Sequence, residues 1–270
     1  MDDTNPWTNV PDLVLGSSDQ VTPGLWFLSG MDWRQIDPAE RADSPVPVIN
    51  LIQHPTHFDP ENPRYEFLSN RAIRICISPQ VAEAVEATGR VNGPMFVIPD
   101  AIDLDLITAA AGAPDRDLDF LVAAVKNPDL GRAVAARLER GGRSVRLVDR
   151  HLTHREEFLQ LLARARVTVF LPWAEEGFYL PALEGMALGT VVVCPDVFGN
   201  RSFCRHEENC FVPAYEEDAL VGAGERALAE LPELDGLLAE ARRTAAEHDL
   251  PREREAFLPI LARAGELWRA

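Results

Sequence analysis

The stretch that decides the fold is Val167-Thr168-Val169-Phe170-Leu171-Pro172-Trp173, continued by Ala174-Glu175-Glu176-Gly177-Phe178-Tyr179-Leu180-Pro181-Ala182-Leu183-Glu184-Gly185-Met186-Ala187-Leu188-Gly189. Its first part is an apolar, β-branched run of the kind a buried strand uses. Its second part is a Gly-bearing loop that opens a helix. Such a junction exposes unpaired backbone N–H groups, and the helix dipole there favours anions. Phosphate groups are therefore expected at Gly177, Phe178, Tyr179 and Leu180. Glu176 falls in the loop and Glu184 a turn or so into the helix, where carboxylates can accept hydrogen bonds from vicinal sugar hydroxyls. By composition alone, an ordinary strand–loop–helix with glutamates near the helix start fits equally well.

Working outward, the same alternation recurs. Buried strands are expected at 118–124, 144–149, 167–172 and 191–195, with 210–212 a short fifth. Helical spacing fills 129–141, 153–165, 181–188 and 216–231. Residues 234–269 form one or two Ala/Arg/Glu-rich helices broken at Pro251. Upstream, 46–52, 72–78 and 95–99 read as strands and 80–88 as a helix, while 53–64, with three prolines and two histidines, reads as a loop. Residues 1–45 are rich in Pro, Asp and Ser, with an apolar patch at 12–16 and an aromatic one at 25–28. Strands alternating with helices imply βαβ units and parallel sheets, with a boundary near 101–106.

Composition bounds the function. The net charge of −17 argues against nucleic acid and against tight docking on an anionic membrane. No apolar run reaches the roughly 18 residues of a transmembrane helix, and the acidic start (Met1, Asp2, Asp3) does not resemble a secretory signal; a cytoplasmic protein is expected. The four cysteines, Cys76, Cys194, Cys204 and Cys210, lack a CxxC pair and read as reduced packing residues. Of 26 basic residues only one, Lys126, is lysine, so its position just after the strand at 118–124 carries weight.

The segment from Glu176 to Val192 resembles the E-x7-E signature of GT-B glycosyltransferases, above all the retaining group 1 (family 4) enzymes. Glu176, Gly177, Phe178, Leu180, Pro181, Leu183, Glu184, Met186, Ala187, Gly189, Val191 and Val192 carry the match. The resemblance implies an α/β fold of two Rossmann-like domains whose parallel sheets face a cleft. It implies that Glu184 holds the ribose, that Glu176 contacts the donor sugar, and that the amides of Phe178, Tyr179 and Leu180 meet sugar and diphosphate. It also places Lys126 on the diphosphate. The arginine usually paired with that lysine is missing, Ala123 and Ala124 standing there; Arg132 or Arg201 are possible substitutes. Residues 148–153, including Asp149 and Leu152, align loosely with a loop that contacts the nucleobase. Downstream, Ser202 replaces the usual acid, and Glu208 and Cys210 replace glycines.

In the first half, Phe96-Val97-Ile98-Pro99-Asp100-Ala101-Ile102-Asp103 resembles the family's join between domains. His54, at the carboxyl end of a strand, faces the cleft as either a catalytic or a structural histidine; His57 reads as structural. Asp103-Leu104-Asp105 matches a metal-binding DxD only formally, and no metal or other cofactor is expected. The implied organisation is an abbreviated acceptor-side domain over 1–104, a donor-binding domain over 105–250, and a last helix, about 251–270, able to pack back on the first domain. The implied reaction moves a sugar from a UDP- or GDP-linked donor to the hydroxyl of a glycan, lipid or small-molecule acceptor, with retention. A non-catalytic nucleotide-sugar-binding homologue is the alternative, because the first domain is short. A partner or second copy completing that domain is a further expectation.

Overall fold

Among the described residues, the short β-branched runs fold into two separate sheets of four parallel strands each. The computed structural model describes residues 23–112 and 115–269; the apolar patch at 12–16 lies outside the described residues. The first sheet contains β1 (Trp26–Ser29), β2 (Val48–Ile52), β3 (Ile73–Cys76) and β4 (Met95–Val97), in the order β1-β2-β3-β4. The second contains β5 (Leu118–Ala123), β6 (Val145–Val148), β7 (Ala165–Phe170) and β8 (Val191–Val193), in the order β6-β5-β7-β8.

The α-helices are α1 (Pro79–Glu86), α2 (Leu104–Ala111), α3 (Pro128–Arg140), α4 (Arg155–Arg164), α5 (Leu180–Leu188), α6 (Glu217–Ala229), α7 (Asp235–Glu247), α8 (Leu250–Ala262) and α9 (Ala264–Arg269). Strand residues are buried on both faces of the second sheet, as a sandwiched parallel sheet requires. Phe120, Val122, Val167 and Val169 pack with Val134 and Leu138 of α3 and Leu220 of α6. On the other face, Leu121, Ala123 and Phe170 pack with Leu159 and Leu162 of α4 and Leu183 and Met186 of α5.

The first sheet is covered differently. On one face Ile49, Ile73 and Ile75 meet Ile260 of α8 and Ala264 of α9, so the chain's last helices pack on its first strands. On the other, Ile52 and Cys76 share a core with Val81 and Val85 of α1, and that core continues into the second half through Phe178 and Phe203. Arg74 is fully buried in β3. It donates to the carbonyls of Leu68 and Asn70, each at 2.7 Å, tying down the 3-10 turns at Pro63–Ser69.

Several expectations are corrected. Residues 210–212 make only isolated bridges, Val193 to Phe211 and His206 to Cys210, and not a strand. The C-terminal helices break at His248 and Asp249; Pro251 sits in the first turn of α8, where its missing N–H costs nothing. The aromatic patch at 25–28 becomes β1, and α4 runs straight into β7 at Ala165, with no connecting loop. The loop at 53–64 holds the 3-10 turn Pro55–Phe58 and the start of Pro63–Ser69. Asp103 is the N-cap of α2, its carboxylate accepting from the Leu106 amide at 2.9 Å, which gives the formal DxD a structural role.

Candidate active site

In the order β6-β5-β7-β8 the chain leaves β5 toward one side for β6 and returns across it for β7. The connections after β5 and β7 therefore diverge, and ligands of open α/β sheets bind in the crevice at that switch point, outside the strands' carboxyl ends. Lys126 follows β5 and Glu176 follows β7. The Lys126 Nζ lies 3.3 Å from Glu176 Oε1 and 3.8 Å from the ring centre of Trp173. The ammonium is thus held between a mostly buried carboxylate and an aromatic face. Apart from this ion pair, Glu176 Oε1 is buried without a hydrogen-bond partner.

The Glu176 loop is fixed from both sides by backbone. A Cβ added to Gly177 would stand 1.7 Å from the Gln53 carbonyl oxygen, so only glycine lets this loop touch the first half of the chain. On its other side, Gly199 admits no side chain either, since a Cβ there would lie 2.6 Å from the Glu176 carbonyl. The Tyr179 amide donates to Gly199 O at 3.1 Å, which withdraws it from the donors available to a diphosphate. The side chains of Phe178 and Tyr179 point into the core: Phe178 packs on Phe203 at 5.2 Å and Tyr179 on Phe170 at 5.9 Å between ring centroids. Leu180 is the first residue of α5.

A cavity of about 320 Å³ opens beside this junction, lined by Ala123, Val125, Lys126, Leu152, Arg155 and Tyr179 among others. Leu152 lines it. Asp149 does not line it; its carboxylate pairs with Arg132 at 2.6 Å. Neither proposed substitute arginine is free, because Arg132 is held by Asp129 and Asp149, and Arg201 by Asp196 at 2.8 Å. The basic residue that faces the cavity beside Lys126 is Arg155, at the start of α4. Its Nη2 lies 2.5 Å from Glu184 Oε1. Burial pushes the Glu184 carboxyl pKa up, and the Arg155 charge and hydrogen bond oppose that shift.

A second cavity, of about 530 Å³, lies between the two sheets' carboxyl ends and is lined by Gly30, His54, His57, Arg64, Asp100 and Glu176 among others. His54 Nδ1 accepts from the Thr56 amide at 3.2 Å. In the neutral ring Nε2 then carries the proton, making His54 a hydrogen-bond donor. His57 is 3% exposed; its Nδ1 donates to the His54 carbonyl at 3.0 Å and its Nε2 is left without a partner. Burial lowers its pKa to about 4. Burial and then the Glu253 charge push the Asp100 carboxyl up to about 7.

A family profile described as glycosyl transferases group 1 matches residues 93–230, half of the chain. The chain belongs to the group 1 glycosyl transferases. It is thus a glycosyltransferase, and its two parallel sheets are those of the GT-B fold. Sucrose-phosphate synthase from Thermosynechococcus elongatus superposes with a TM-score of 0.62 at 19% identity, over 91% of this chain and 73% of that one. HepE from Anabaena, in complex with UDP, superposes with a TM-score of 0.69 at 15% identity, over 88% and 78%. HepE has also been solved with UDP-glucose, and that structure superposes with a TM-score of 0.63 at 16% identity, over 81% and 73%. A comparison with curated protein sequences finds no match.

In this glycosyltransferase the structure brings Lys126, Glu176 and Gly177 together and sets His54 across the cleft from them. Arg155, Trp173 and Arg64 were not singled out from sequence. Arg155 and Arg64 are two among 25 arginines, and nothing local marks them. Trp173, 54% exposed beside apolar strand residues, carried the one available signal: a large ring left outside the core.

Proposed function

We propose that this glycosyltransferase moves a sugar from a UDP- or GDP-linked donor to an acceptor hydroxyl, with retention and without a metal ion. The Lys126–Glu176 ion pair carries the reading, because it stands where the two cavities meet: Lys126 lines one and Glu176 the other. The nucleotide occupies the cavity beside β5 and α4, with the base against Leu152 and the ribose near Glu184 and Arg155. The diphosphate lies against Lys126 and the first turn of α5, and the sugar lies by Glu176. HepE, solved with UDP and with UDP-glucose, supports a uridine donor.

As the bond from the anomeric carbon to the diphosphate oxygen breaks, the electron pair leaves with the nucleoside diphosphate. The Lys126 ammonium and the α5 amides stabilise that growing charge. The acceptor oxygen bonds to the anomeric carbon, and its proton passes to the departing diphosphate. Glu176, across from Lys126, stabilises the cationic sugar. His54, an N–H donor, orients a sugar hydroxyl and is not a base. The protein works in the cytoplasm, where its four thiols stay reduced. A second copy of the chain or a partner contributes to the acceptor side.

The test is release of nucleotide from a panel of UDP-, GDP- and ADP-sugars. Turnover with a UDP- or GDP-sugar, abolished in Glu176→Ala while nucleotide still binds, is the expected result. Full activity in that variant would remove Glu176 from the mechanism.

A further inference from the structure

The second cavity contains groups that sugar transfer from the donor side does not use. Arg64 crosses the backbone after β1: a Cβ at Gly30 would lie 3.3 Å from Arg64 Nε. Its polar partner is the Asn62 side-chain oxygen, 3.4 Å from Nη1, and among the described residues no carboxylate pairs with it. Glu176, on the cavity's opposite wall, is already neutralised by Lys126. His57, beside Arg64, lines the same cavity; it is 3% exposed and its Nε2 is buried and unpartnered. A buried acceptor without a partner is costly, a cost that a bound donor removes. The cavity therefore offers one guanidinium with no carboxylate partner among the described residues, which suits an oxyanion, and one buried lone pair, which suits a hydroxyl.

We infer that the acceptor is a hydroxylated small anion, a sugar phosphate or sugar acid, whose phosphate or carboxylate is held by Arg64 while one of its hydroxyls donates to His57 Nε2. This rests on the reading of Glu176 as the sugar end of the donor site. It adds what the proposed function leaves open, the chemical class of the acceptor. The guanidinium fixes one end of the acceptor at the carboxyl edge of the first sheet, so that a different hydroxyl faces Glu176 and the anomeric carbon.

The experiment titrates the full-length protein with glucose, glucose 6-phosphate and glucuronate, each with and without UDP, following affinity by calorimetry. At least one charged probe is expected to bind about tenfold or more tightly than glucose, the gain typical of a charge-assisted hydrogen bond. Whichever charged probe binds more tightly tells phosphate from carboxylate. Arg64→Gln is expected to erase the advantage, Arg64→Lys to keep part of it, and both to leave UDP affinity unchanged. His57→Phe is expected to weaken all three probes several-fold. Equal affinity for the three probes, failure of both charged probes to bind, or a preference that survives Arg64→Gln overturns the inference. Failure of UDP to bind counts instead against the donor reading, and the comparison without UDP still decides the acceptor class.

Discussion

Gly177 and Gln53 meet backbone to backbone across the cleft, so closely that a methyl group on Gly177 would stand 1.7 Å from the Gln53 carbonyl oxygen. Backbone cannot swing aside as a flexible side chain can. Gly177→Ala is therefore expected to push the halves apart, costing about 1–3 kcal/mol or more and most of the transfer activity. Thermal denaturation and nucleotide release measure the two effects. A variant with wild-type Tm and rate would mean the contact is dispensable.

Lys126 bears on the leaving group in the proposed reaction. Lys126→Ala should lower kcat by about a hundredfold or more, the scale found when one transition-state donor is removed, and weaken UDP binding. Steady-state kinetics with a UDP-sugar is the measurement, and an unchanged rate and UDP affinity would make Lys126 an ordinary surface residue.

In the proposed donor site the nucleotide shares the Arg155–Glu184 ion pair. Glu184→Ala should reduce UDP affinity about tenfold, as expected for losing hydrogen bonds to a charged group. Arg155→Ala should cost only about 1 kcal/mol of stability, because the guanidinium is half exposed, yet weaken UDP binding as well. Calorimetric titration separates these outcomes; UDP affinity untouched in both variants would move the ribose elsewhere.

The cleft predicts two opposite pH effects. Asp100, pushed up to about 7, keeps its proton in the folded state while the unfolded chain loses it near 4. Stability therefore falls as pH rises from about 4 to 7, and Asp100→Asn should raise Tm at pH 8 but not at pH 4. His57, lowered to about 4, gains its proton in the unfolded chain first, near 6.5. Stability then falls as pH drops from about 6.5 to 4, and His57→Gln should flatten that acid limb. Melting curves across pH 4–8 check both; variant-to-wild-type differences independent of pH would contradict them.

Much of the second half was legible in sequence because β5, β7 and β8 are runs of β-branched and apolar residues bounded by clear helix periods. β1 was harder: it has four residues, Trp26–Ser29, between Pro- and Asp-rich segments, and its pairing with β2 is a tertiary fact. Helix α2 was missed because its first turn falls on the boundary expected near 101–106 and only Ile107 and Ala111 mark its buried face. The strand–loop–helix junction from Glu176 to Gly189 was recognisable, but its surroundings were only partly so. That the Tyr179 amide is taken by Gly199, and Asp149 by Arg132, depends on residues brought in from other elements. Arg64 and His57, the groups of the inferred acceptor site, carry no periodic or motif signal at all; what joins them is the cavity they share.

The packing of α8 and α9 on the first sheet sets the order in which the protein can mature. During synthesis, Ile49, Ile73 and Ile75 leave the ribosome roughly two hundred residues before Ile260 and Ala264 arrive to cover them, at a translation rate of about 5–20 residues per second. For that interval of about ten seconds or longer, one face of the nascent first sheet is apolar and open. The second half can meanwhile complete its own core, leaving the amino-terminal half to close last.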